Sequence, residues 1–454
     1  KNSPIFQRLK IDSTAVWNYF NVGYIPSPIS IFEKIKKIKP GEILRLNLNK
    51  NLITKNRKYF INKTNFLINN NFEDTLKDAV QIRTISDVPY GVFLSSGIDS
   101  TLVASILKDL NKNVDSFSIG IKDNNLLDES SASRKIAKYL GLNHHELILN
   151  EESLINYFPK INKTYGEPFS DSSQIPTLIL SEFSKKKITV ALSGDGGDEI
   201  FCGYNRYLYL NNFEKLFKFI FFLNNNKISK KLLETIIQSK FFQNKEIKII
   251  DKLRSIIDAR SFEDVYSKLV KIQSNKIDVF NQNNQVFDKL FLKNENISQE
   301  NYLFELQNRD VENYLPDDIL TKVDRASMQS SLEVRCPLLD YRLSYALFLK
   351  DDLKIKNGKT KVILRNILKK YIDIDLISKE KKGFGIPVKK WLKEGLFEIT
   401  NDFINSKSLK EDDHLNHNKI KKIWELHNSG KVNSSNLIWS TLIYLQWKNE
   451  WSKN

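Results

Sequence analysis

Between residues 91 and 208, short apolar runs alternate with longer stretches in which apolar positions recur every three or four residues. The runs at 91–94, 114–119, 145–149 and 188–192 have the length of buried strands, and the stretches at about 127–140 and 151–183 have the period of amphipathic helices. Gly166 and Pro168 interrupt the second of these, so a break is predicted there. Such alternation predicts an α/β fold built on a parallel sheet. After Asp99 the apolar positions Leu102, Val103, Ile106, Leu107 and Leu110 follow one helical face, which leaves Ser95, Ser96 and Gly97 at a strand-to-helix turn. In open sheets of this class ligands gather at the carboxyl ends of strands. Two such ends carry polar, Gly-bearing sequence: the one before Ser95 and the one before Ser193.

The flanking regions read differently. Residues 1–62 are turn-rich, with Gly23-Tyr-Ile-Pro-Ser-Pro and Pro40-Gly-Glu-Ile-Leu and two short strand-like pieces. They are too few for a core of their own, and are expected to be either the tail of a preceding domain or an edge packed on the next one. A helical pattern over about 65–86 leads into the first strand. Residues 211–300 show helical periodicity without a polar constellation, a helical insertion. From 301 to 454 the pattern stays helical, broken by Arg335-Cys-Pro-Leu-Leu-Asp and by Lys381-Lys-Gly-Phe-Gly-Ile-Pro. No internal repeat is apparent.

Composition narrows the function classes. At 454 residues, with 41% hydrophobic and 11% aromatic content, the chain is long and apolar enough for two or three folded domains. No apolar run reaches membrane-spanning length, and no export leader is found. The net charge of +16 is spread over a Lys- and Asn-rich chain, which predicts a solvated surface and no nucleic-acid partner. Cys202 and Cys336 are too few for a disulfide framework, so a cytoplasmic setting is the expectation. The adjacent His144 and His145, and His414 and His417, lack the companions of a zinc site.

The run Gly91-Val-Phe-Leu-Ser-Ser-Gly-Ile-Asp-Ser100 has the form of a phosphate cradle. At such a turn backbone N–H groups converge and the helix dipole favours an anion. Asp99 would repel phosphate unless a cation lay between them, which makes it a candidate Mg²⁺ ligand. The Lys of a Walker A loop and the third glycine of a dinucleotide fingerprint are both missing; an ordinary turn capped by Asp99 is the plain alternative. The second turn, Ser193-Gly-Asp-Gly-Gly-Asp-Glu199, crowds three carboxylates into five residues. A calcium loop would need ligands over about twelve residues, whereas this run ends in Ile200-Phe201. Mg²⁺ shared between Asp99 and Asp198 and spanning two phosphates suits the pair of turns.

The first run resembles the SGGxDS loop of PP-loop ATP pyrophosphatases, with Ser96 in place of the first glycine. Joined to SGDGGDE and Gly203-Tyr-Asn-Arg-Tyr, it resembles the synthetase domain of the glutamine-hydrolysing asparagine synthetases and their β-lactam synthetase relatives. Glu167-Pro-Phe-Ser-Asp-Ser-Ser-Gln, Leu320-Thr-Lys-Val-Asp-Arg-Ala-Ser-Met, Glu333-Val-Arg-Cys-Pro-Leu-Leu-Asp and Lys381-Lys-Gly-Phe-Gly-Ile-Pro stand in family order. The resemblance implies an adenine nucleotide alpha hydrolase-like domain over 63–454, with its PP-loop core at 91–208, after a glutaminase remnant at 1–62. It implies ATP as substrate, Mg²⁺, and amidation of aspartate through a β-aspartyl adenylate with nitrogen from glutamine or ammonia. Leu94 and Ile119 would line the adenine pocket, while Ser95, Ser96, Gly97 and Ser100 would hold pyrophosphate. Asp99 and Asp198 would bind the metal, Ser193 and Gly194 would contact the nucleotide, and Lys322 and Lys381 would neutralise phosphate charge. Asp195 stands where the family often has a Glu proposed to take a proton from ammonia, and Lys379 where Arg is common. The family's glutaminase begins with a nucleophilic Cys; this chain begins at Lys1 and has no Cys before Cys202, so a truncated longer enzyme is the expectation. Another carboxylate acceptor, or a PP-loop RNA-modifying enzyme, is the alternative, and a homodimer is the assembly to be tested.

Overall fold

The computed structural model describes residues 9–49, 52–57, 71–111, 113–121, 130–224, 259–272, 279–281, 302–378 and 385–451. Helix α1 (Ser13–Val22) starts at Asp12, whose carboxylate accepts from the Thr14 and Ala15 N–H groups, and stops at Gly23, left-handed at φ 90°. An antiparallel pair, β1 (Glu42–Asn47) and β2 (Leu52–Arg57), follows. After α2 (Phe72–Gln81) the chain enters a sheet of five strands: β3 (Tyr90–Phe93), β4 (Asp115–Ile121), β5 (Asn143–Leu149), β6 (Val190–Leu192) and β7 (Glu333–Arg335). Helices α3 (Ile98–Leu110) and α4 (Ser130–Leu140) make the first crossovers.

All pairings in this sheet are parallel and the strand order is β5-β4-β3-β6-β7. The chain moves outward from β3 in one direction through β4 and β5, then returns to place β6 on its other side. The order therefore reverses between β3 and β6, the switch point at which an open α/β sheet leaves a crevice. Gly91 permits the central pairing, since a Cβ there would come within 2.6 Å of the Asp115 carbonyl oxygen.

The α/β class holds, with four strands near their predicted places and two readings to correct. The fifth strand, β7, falls where the sequence predicts the end of a helical stretch and, at Arg335, the start of a break. Gly166, left-handed at φ 74°, does end a helical segment, but the interruption runs on until the helix Gln174–Lys185 begins. The sheet is covered on both faces. Val92 and Leu192 face a core with α2, α3 and the helix Val362–Leu368, while Phe117, Ile119 and Ala191 face one with α1, Gln174–Lys185 and Ser435–Trp451. Tyr19 of α1 donates its hydroxyl hydrogen to the Ser440 carbonyl at 2.8 Å, so α1 packs as an edge on the following part of the chain. The boundary expected near residue 62 lies outside the described residues. No helix among the described residues is long and apolar enough to cross a membrane.

Candidate active site

The two Gly-bearing turns meet at the switch point. Pairing of Val92 with Leu192 brings the strand ends side by side, and glycines let the turns touch. A Cβ on Gly194 would lie 2.6 Å from the Ser100 nitrogen, and one on Gly197 would lie 2.6 Å from Asp99 Oδ1. Gly196, left-handed at φ 87°, turns the chain into the short helix Gly197–Ile200 that carries Asp198 and Glu199.

The first turn is locked from within. The Ser95 N–H donates to Ser100 Oγ at 3.1 Å, the two hydroxyls lie 2.7 Å apart, and the Gly97 N–H donates to Ser95 Oγ at 3.2 Å. Ser96 is buried and keeps a negative φ, so a side chain at the first-glycine position strains nothing. In the second turn the Ser193 N–H donates to the Arg335 carbonyl at 2.9 Å, which ties the turn to β7. Leu94 and Ile119 are buried at adjacent strand ends but pack into different cores.

Asp99, in the first turn of α3, and Asp198 converge on one cation, the ammonium of Lys361. Its distance to Asp198 Oδ1 is 2.5 Å. Asp99 Oδ1 is buried without a hydrogen-bond partner. Sequence reasoning missed Lys361, one lysine in a lysine-rich chain. The available signal was local: Lys356-Asn-Gly-Lys359 is a two-residue hairpin sequence, and it joins β8 (Ile355–Lys356) to β9 (Lys359–Thr360) with Asn357 and Gly358 at positive φ. Lys361 follows at φ 55° and caps the helix Val362–Leu368, which packs on α3.

Lys322 lies close enough to the second turn to feel the charge of Asp195. It is buried in the helix Thr321–Gln329 and donates to Asp171 Oδ2 at 3.0 Å. Burial alone would depress its pKa, but the carboxylates of Asp171, Asp318 and Asp195 outweigh burial and hold it above the ordinary lysine value. Asp171 is held below the usual carboxylate range: Lys322 and Ser173 overcome its burial. Burial and the neighbouring Asp171 push Asp318 well above that range, and its Oδ1 has no hydrogen-bond partner. Asp318 sits in a π-helical stretch, Asp310–Leu320, around Pro316, a distortion that turns side chains out of the regular helical phase. Asp171 lies in one of the family-ordered motifs, to which the resemblance gives it no role, and Asp318 carries no signal in its helical run.

A third polar group, Arg206 with Asp310, Tyr207 and Tyr266, lies behind the second turn, its carboxylate and both tyrosines buried. Tyr266 belongs to the 211–300 region, so that region contributes to a polar constellation after all. Burial pushes Glu199, which accepts from the Tyr204 hydroxyl, up to about 7, and Asp310 adds to the shift. A carboxyl group raised in the fold disfavours folding once it ionises, so its penalty is absent below the unfolded value and complete above about 7. Glu199→Gln is therefore expected to raise the unfolding free energy by about 1–3 kcal/mol at pH 8 and to change it little at pH 4.5. Denaturant titrations at the two pH values check this. Neither cysteine is poised for nucleophilic chemistry: burial pushes Cys336 up to about 12 and Cys202 higher still.

Lys381 and Lys379 lie outside the described residues, but the chain on either side of them is anchored to the site. The Ser378 N–H donates to the Ser96 carbonyl at 3.1 Å, and the Ile386 N–H donates to the Ser172 carbonyl at 3.0 Å. One flank is thus fixed on the first turn and the other beside Asp171.

The profile of the family described as asparagine synthase matches residues 71–451. A protein of Bacillus subtilis named asparagine synthetase [glutamine-hydrolyzing] 1 is 28% identical over 463 residues, covering 97% of this chain and 69% of its own length. A putative asparagine synthetase [glutamine-hydrolyzing] 2 of Methanocaldococcus jannaschii is 34% identical over 348 residues, covering 71% of this chain and 62% of its own. The amidase chry2 of Gibberella zeae is 24% identical over 355 residues, covering 70% and 52%. The chain thus spans between about half and 69% of the length of these relatives. With its two turns joined at the switch point and a profile match from residue 71 to residue 451, the chain belongs to the asparagine synthase family.

Proposed function

We propose that this chain carries out the ligase half of a glutamine-dependent asparagine synthetase, converting aspartate to asparagine with cleavage of ATP to AMP and pyrophosphate. The observation that carries the reading is the convergence of Asp99 and Asp198 on one cation between two turns at the sheet's switch point. Their carboxylates fit Mg²⁺: two hard oxygen donors face one point, and Asp99 Oδ1 lacks a partner. An ion of that kind takes one or two carboxylates and completes its shell with phosphate and water. When bound, it would neutralise charge on the β and γ phosphates.

The chain's own residues then divide the work. Ser95, Ser96, Gly97 and Ser100 line the pyrophosphate, Ser193 and Gly194 lie against the nucleotide, and Leu94 and Ile119 offer apolar surface to adenine. An oxygen of the aspartate side-chain carboxylate attacks the α phosphorus, and the bond to the pyrophosphate oxygen breaks. Lys381, between flanks fixed at Ser96 and Ser172, supplies positive charge to the departing group. Ammonia nitrogen attacks the acyl carbon, AMP leaves with the acyl–oxygen electron pair, and Asp195 takes the excess proton. Lys322, kept protonated by Asp171, Asp318 and Asp195, is the second positive charge offered to phosphate.

ATP, aspartate and ammonium supplied together are expected to yield AMP, pyrophosphate and asparagine in equal amounts. Formation of ADP and phosphate would overturn the reading. The amidase-named relative is a reason to run other carboxylic acids beside aspartate.

A further inference from the structure

We propose that Lys361 is a resident counter-ion for Asp99 and Asp198 that excludes a divalent ion from the nucleotide-free protein, so that the metal enters only together with ATP. This inference rests on the metal reading above and adds a residue which that reading does not require.

The geometry is closed around the ammonium. The Lys361 side chain is 5% exposed, and those of Asp99 and Asp198 are 15% and 14% exposed. Two carboxylates so far withdrawn from water require a cation, and Lys361 supplies it to both. Gly203 walls the group in, since any side chain there would collide with Asp198 Oδ1 and Lys361 Cε. A divalent ion and an ammonium cannot share this space. A metal arriving alone must therefore break two ion pairs and leave the ammonium buried without an acceptor. A metal arriving on ATP brings anionic oxygens that can receive it.

The backbone makes this exchange a side-chain movement. Lys361 sits at φ 55° between the β8–β9 hairpin and its own helix, and its carbonyl accepts from the Arg365 N–H at 2.9 Å. Lysine suits this role, because a point charge on a four-carbon stem can swing from carboxylate to phosphate without the fixed fork of arginine. Among the described residues the Arg365 guanidinium is another cation near Asp99; burial depresses its pKa, and its Nε donates to the Thr360 carbonyl at 2.8 Å.

The test is Mn²⁺ binding to the full chain without nucleotide, read by electron paramagnetic resonance, with thermal melting to confirm folding. Wild type is expected to bind weakly, Lys361→Met to bind about tenfold more tightly or better, and Lys361→Arg to remain weak. Lys361→Gln, which keeps a donor for the carboxylates, replaces Lys361→Met should the latter not fold. Equal Mn²⁺ affinity in wild type and the uncharged variant overturns the inference. A parallel titration with a non-hydrolysable ATP analogue separates the two claims. If Asp99→Asn does not weaken Mn²⁺ binding there, the metal reading fails; if it does, while removal of the Lys361 charge changes nothing without nucleotide, only the counter-ion role fails.

Discussion

Asp99→Asn is expected to lower pyrophosphate formation by about 100-fold or more, because under the proposed function it replaces a carboxylate ligand of the nucleotide's cation with a neutral amide of the same shape. The protein should still fold. Asp99 sits in the first turn of α3, where Asn is tolerated, and Lys361 keeps its second ion pair, with Asp198. Steady-state pyrophosphate release, read beside a thermal melt, distinguishes loss of chemistry from loss of structure. A variant that folds and turns over at the wild-type rate would remove Asp99 from the metal site.

Gly194→Ala is expected to separate the two turns. Its Cβ would lie 2.6 Å from the Ser100 nitrogen and 2.8 Å from Asp99 Cβ. The first is a backbone atom, so the start of α3 must move instead of a side chain rotating away. Overpacking of this kind costs about 1–3 kcal/mol, and a shift of about 1 Å between reacting groups lowers rates about 100-fold. Gly97→Ala is the matched control: its Cβ meets only Ser95 Oγ, at 3.2 Å, and its φ of −80° suits any residue. A lower melting temperature and a lower rate for Gly194→Ala, with a nearly unchanged melting temperature for Gly97→Ala, would place the contact between the turns at the centre of the site. Equal behaviour of the two variants would contradict it.

The sheet's centre was legible because burial on both faces writes strands as apolar runs, and because the turns after β3 and β6 use Ser and Gly where backbones approach closely. β7 escaped because Glu333-Val-Arg has one apolar residue and is half-exposed; it is a strand because it pairs with β6, a tertiary fact with no local signature. The same distinction runs through the site. Asp99 and Asp198 stood out as carboxylates in phosphate-type turns. Lys361 did not, because its importance comes from a hairpin and a left-handed residue that aim an ordinary lysine at α3. Asp318 was hidden for a related reason: only the π-helical stretch around Pro316 turns it toward Lys322 and Asp171. Residues set in a recognisable Ser- and Gly-bearing turn are visible in sequence, whereas those whose role depends on a partner far along the chain are not.

The central claim is that the acceptor carboxylate attacks the α phosphorus of a nucleotide held between the two turns. Aspartate labelled with ¹⁸O in its side-chain carboxyl group, incubated with the chain, ATP and ammonium, tests it directly. Mass spectrometry should find one labelled oxygen in the phosphate of AMP and none in pyrophosphate. Label in inorganic phosphate, or AMP formed without label, would contradict the account.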